Sequence, residues 1–96
     1  MHTVLIVDDE YGIRELLSEI LEDEGYQVLT AENAKIAQSL VGKHDFDLIL
    51  LDIWMPDMDG ISLLKEWYSH NTVRSPIVMM SGHGTIETAM EATRFG

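Results

Sequence analysis

Two short apolar runs in this chain each end in aspartate. Val4-Leu5-Ile6-Val7 leads into Asp8-Asp9-Glu10, and Leu48-Ile49-Leu50-Leu51 leads into Asp52. Apolar runs of four bounded by charge read as strands buried on both faces, as in a parallel sheet. As parallel neighbours, the two strands would bring Asp8, Asp9 and Asp52 together at the carboxyl edge of the sheet. Open α/β sheets place their ligands at that edge. Carboxylates within a few ångströms repel one another, and a hard divalent cation is the usual remedy.

The remaining sequence alternates helix and strand. Ile13, Leu16, Leu17, Ile20 and Leu21 recur with helical spacing, with Arg14, Glu15, Glu19 and Glu22 on the wet side. Gly25 suits a left-handed cap just past that helix. Tyr26 to Thr30 reads as the second strand. Asn33 can cap a second helix carrying Ile36, Ala37, Leu40 and Val41 and ending near Gly42. The third strand is expected from Asp47 to Asp52. A turn-rich loop from Trp54 to Gly60 follows, in which Asp57 and Asp59 are expected to shape the turn. Ile61, Leu64, Trp67 and Tyr68 mark a third helix. Pro76 opens a fourth strand, Ile77 to Met80. Ser81-Gly82-His83-Gly84 forms a loop, and Thr85 caps a fourth helix reaching about Arg94. Four β–α units with short connections predict an α/β fold: a parallel sheet with helices on both faces.

Charge narrows the partners. Six basic residues against 17 acidic ones give a net charge of −11. Direct binding to nucleic acid or to an anionic membrane needs a basic surface, so neither is expected. With no cysteine there is no disulfide or thiol chemistry, in keeping with a cytoplasmic protein. No stretch approaches the roughly 20 apolar residues of a membrane span. His2, His44 and His70 read as surface residues, and the methionines as core filler.

Asp8-Asp9-Glu10 after the first strand, Asp52-x-x-Met55-Pro56-x-Met58-Asp59-Gly60 after the third, and Ser81-Gly82 after the fourth resemble the receiver domain of bacterial response regulators. The resemblance runs the length of the chain, and it rests on three weak motifs in the right order. It implies a flavodoxin-like fold with strand order 2-1-3-4-5. It makes Asp52 the acceptor of a phosphoryl group from a sensor histidine kinase, with Mg²⁺ as the cofactor. Asp9 would ligate the metal directly, with Asp8 beside it, Asp52 contributing, and the backbone carbonyl of Trp54 adding another oxygen. The Ser81 hydroxyl would contact the phosphoryl group. Trp54 and His83 would overhang the site and tune the lifetime of the phosphoryl group. Gly82-His83-Gly84-Thr85 resembles the nitrogen-regulatory class, whose members carry an ATPase and a DNA-binding output domain.

The same family has a fifth strand, with a lysine that contacts the phosphoryl group, and a fifth helix. This chain reaches Gly96 at the end of the fourth helix. Residues 1–96 are therefore expected to be one receiver domain cut short at its C-terminus, with the fifth strand absent. A homodimer or higher oligomer is expected, using the first helix and the face that the fifth helix would cover. The domain is expected to be a signalling switch rather than an enzyme. Other function classes fit less well. A flavodoxin-type cofactor binder needs a phosphate-binding loop after the first strand, where this chain is acidic. A dehalogenase-type phosphatase needs a second Asp two residues past Asp52, where Trp54 stands. A degenerate receiver acting only in protein interaction is the remaining alternative.

Overall fold

A computed structural model describes residues 2–80; the Ser81–Gly84 loop, Thr85 and the fourth helix lie outside the described residues. Val4 to Val7 are all buried, so the first strand, β1 (Thr3–Val7), runs through the middle of a sheet. α1 (Tyr11–Asp23), β2 (Gln27–Ala31), α2 (Ala34–Val41), β3 (Leu48–Asp52), α3 (Gly60–Ser69) and β4 (Ile77–Met80) follow. All pairings are parallel, and the strand order is β2-β1-β3-β4, as the resemblance implied.

The two faces of the sheet are covered unequally. Leu5, Val7, Ile49 and Leu51 point to one side, where they pack with Ala34 and Ala37 of α2 and with Leu63, Leu64 and Trp67 of α3. That side holds the main core. Val4 and Ile6, by the two-residue period of a strand, face the other side and are equally buried. There α1 packs over β1 and β2. Leu48 and Leu50 are only half-buried on that side, and Val78 of β4 is 50% exposed.

The apolar stripe of α1 is accordingly split. Ile13, Leu17 and Leu21 are half-buried, while Leu16 and Ile20 are exposed at 53% and 50%. Arg14, expected on the wet side, is half-buried because its guanidinium turns back onto β1: Nη1 donates to the Asp8 carbonyl at 2.8 Å. Gly25 closes the helix with φ +93°, the left-handed conformation that glycine tolerates. Tyr26 N–H returns to the Leu21 carbonyl at 3.1 Å, so β2 begins at Gln27, one residue later than the pattern predicted. β3 begins at Leu48 rather than Asp47. The Asp47 side chain accepts the Thr3 N–H at 2.7 Å and so tethers the start of β1.

Candidate functional site

β1 and β3 are hydrogen-bonded neighbours with Val7 level with Leu51, so the residues after them emerge side by side. One carboxylate oxygen each from Asp8, Asp9 and Asp52 lies within 4.8 Å of the other two. Asp8 and Asp52 are both 6% exposed, whereas Asp9 faces solvent. Two buried acids and one open acid form an anionic cluster at the carboxyl edge.

Backbone hydrogen bonds fix the strand ends that carry Asp8 and Asp52. Asp8 N–H donates to the Ala31 carbonyl at the end of β2, at 3.0 Å. Asp8 Oδ1 accepts the Glu10 N–H at 2.8 Å, which fixes the turn into α1. Asp52 ends β3, where Ile53 N–H bonds the Met80 carbonyl at 3.1 Å and keeps the strand end in the sheet. Gly60 then closes the following loop on itself, donating its N–H to the Ile53 carbonyl at 2.6 Å. A Cβ at position 60 would collide with the Asp52 carbonyl oxygen. Only glycine lets the start of α3 press so close behind Asp52.

The electrostatics follow from burial and crowding. Burial pushes the Asp52 carboxyl up to about 6, and the nearby Asp8 and Asp9 charges push the same way against the Trp54 N–H. Asp8 is also raised, mainly by burial and further by Asp9 and Glu10, while the Glu10 N–H and the Arg14 charge oppose the rise. Near neutral pH the pocket thus holds carboxylates that a proton or a cation would stabilise.

Two further aspartates of the loop, expected to shape the turn, do different work. Asp59 caps α3: Oδ1 accepts the Ser62 N–H at 2.9 Å and Oδ2 accepts the Ser62 hydroxyl at 2.8 Å. Asp57 reaches across to another helix. Its Oδ1 accepts the Ala34 N–H and its Oδ2 the Lys35 N–H, both at 3.1 Å. Some desolvation raises the Asp57 carboxyl, but these N–H donors outweigh it and the net shift is downward. Asn33 caps the same helix through Ile36 N–H at 2.8 Å, as its position predicted.

The structure therefore brings together Asp8, Asp9 and Asp52. Trp54 stands on the loop two residues beyond Asp52, its side chain 48% exposed. Ser81 and His83 lie outside the described residues. The sequence reading did not find the roles of Arg14, Asp57 and Gly60 around this pocket. Gly60 stood in the sequence only as the last residue of the motif after the third strand, which did not reveal its close approach to Asp52.

A parallel sheet in this order with three acids at its carboxyl edge defines a class, and comparison with known proteins gives the same one. The family model described as the response regulator receiver domain matches residues 4–96. Regulatory protein AtoC of Escherichia coli K12 is 42% identical over 96 residues, covering all of this chain and 21% of that protein. Sporulation initiation phosphotransferase F of Bacillus subtilis is 40% identical over 94 residues, covering 97% of this chain and 74% of that protein. The crystal structure of NtrX from Brucella abortus superimposes with a TM-score of 0.89 at 42% identity, covering 100% of this chain and 22% of that one. This chain belongs to the response regulator receiver domain family of two-component signalling. It spans about a fifth of the length of AtoC and NtrX.

Proposed function

We propose that Asp52 accepts a phosphoryl group from a histidine kinase and that Mg²⁺ supports the transfer. The observation that carries this reading is the convergence of three carboxylates, two of them buried, at the end of adjacent strands. In the transfer, an Asp52 oxygen forms a bond to phosphorus while the bond from phosphorus to the donor breaks. An anion approaches an anion in that step, so positioning and charge neutralisation decide the rate. Mg²⁺ prefers six oxygens and commonly takes one or two carboxylates plus phosphate and water. Asp9, Asp8, Asp52 and the Trp54 carbonyl would hold it, and when bound it would neutralise charge on the phosphoryl oxygens. Burial keeps Asp52 away from competing water and fixes its approach. Ser81 follows β4, the neighbour of β3, and is proposed as the hydroxyl that contacts the phosphoryl group. Residues 1–96 then form one receiver unit, placed in the cytoplasm with its kinase. It would switch an output domain of the ATPase and DNA-binding type.

Trp54 fluorescence, read in a Trp67→Phe background that serves as wild type, tests this reading. Adding MgCl₂ with beryllofluoride, which mimics a bound phosphoryl group, is expected to shift the emission of wild type and leave Asp52→Asn unchanged. An equal shift in both proteins would remove Asp52 from the role.

We also infer self-association through α1. Leu16, Ile20 and Val78 are half or more exposed on the side of the sheet that α1 only partly covers. A fully buried Leu or Ile is worth roughly 1.5–3 kcal/mol, so a second copy covering this side gains substantial free energy.

A further inference from the structure

Asp57 is exposed and belongs to neither the acidic pocket nor its own helix cap, yet both its oxygens are engaged. We propose that Asp57 is a positioning residue for the acidic pocket, clamping the loop between β3 and α3 to the first turn of α2. The loop has two anchors at its base: Gly60 N–H on the Ile53 carbonyl and Asp59 on Ser62. Both lie within one stretch of chain; Met55 and Met58 of the loop pack against the core, but neither anchor hydrogen-bonds the loop to α2. Among the described residues, Asp57 is the residue of that tip that hydrogen-bonds α2, reaching 22 and 23 positions back. The start of α2 is itself tied to the pocket on its other side. It follows directly from the end of β2, whose last residue, Ala31, accepts the Asp8 N–H. Asp8 and the Trp54 loop are thus both referred to one short segment, residues 31–35. Fixing both sides of the pocket to one segment sets the spacing between Asp8 and the Trp54 carbonyl.

The inference rests on reading the pocket as a cation site. Groups that orient ligands from outside the coordination sphere commonly change metal affinity by tenfold or more when removed. Titration of the protein with MgCl₂, followed by Trp54 fluorescence, is expected to give a Kd about tenfold weaker for Asp57→Ala. Asp57→Asn is expected to recover part of that loss, because its amide oxygen still accepts an N–H although the charge is gone. Equal Kd values for wild type and Asp57→Ala would overturn the clamp. So would equal losses in the Ala and Asn variants, which would assign the effect to charge alone. A wild type with no MgCl₂ response, or an Asp9→Ala variant that responds like wild type, overturns the cation reading and the clamp with it. Should Asp57→Ala not fold, hydrogen exchange on wild type decides the matter. MgCl₂ is expected to slow exchange at Ala34 and Lys35 relative to Ile36, whose cap is Asn33; no difference between them overturns the clamp.

Discussion

Asp52 is a carboxyl held near 6 by burial and by its acidic neighbours, and this sets a pH signature. A raised folded-state value means that the fold binds the proton more tightly than the unfolded chain does. The resulting stabilisation is complete below the ordinary value of 3.8 and is lost as pH rises through about 6. Asp57 and Asp59 are lowered, and their contribution runs the other way, vanishing as pH falls below the usual carboxylate range. Between about pH 4 and pH 6, metal-free wild type is therefore expected to lose stability relative to Asp52→Asn. Denaturant melts at half-unit pH steps check this, and parallel curves for the two proteins would contradict it. The same crowding predicts a response to Mg²⁺. At a hundredfold excess over Kd, MgCl₂ should stabilise wild type by about 2.7 kcal/mol, because only the folded pocket binds. Asp9→Ala should melt higher than wild type without metal and show no such gain.

At the level of elements, the strands were legible because an apolar run ending in charge has few other readings. Asn33 and Gly25 were legible because caps are local chemistry. Their outcome matches: Asn33 bonds Ile36 N–H and Gly25 sits at φ +93°. What the sequence hid was non-local. Asp57 meets α2 across 22 and 23 positions, and nothing near it in sequence marks that partner. Arg14 was placed in water by its charge, but a long side chain can fold its stem along the helix and bring its head to a carbonyl. Periodicity showed the α1 stripe but carried no information on what lies over Leu16 and Ile20. Two substitutions test the elements around the pocket. Gly60→Ala should cost about 2 kcal/mol or more, since the new Cβ meets backbone that must move. Asn33→Ala should cost about 1 kcal/mol through the lost cap. Urea unfolding measures both, and a neutral Gly60→Ala would contradict the close approach to Asp52.

At the scale of the whole fold, the described residues present an acidic pocket at one sheet edge and a partly bare apolar side beside α1 and β4. The apolar side predicts a dimer at tens of micromolar by light scattering, with Leu16→Glu together with Ile20→Glu shifting it to monomer. A monomeric wild type would remove the self-association reading and leave the pocket untouched. Among the described residues no helix is long and apolar enough to cross a membrane. The central claim is that this pocket makes Asp52, alone among the many carboxylates, a phosphoryl acceptor. Its most direct test is to incubate wild type, Asp52→Asn, Asp57→Asn and Asp59→Asn with acetyl phosphate and MgCl₂ and to measure acid-labile phosphoryl label on each. Label on wild type and on the two loop variants, with none on Asp52→Asn, is the predicted result; label that persists on Asp52→Asn would contradict the account.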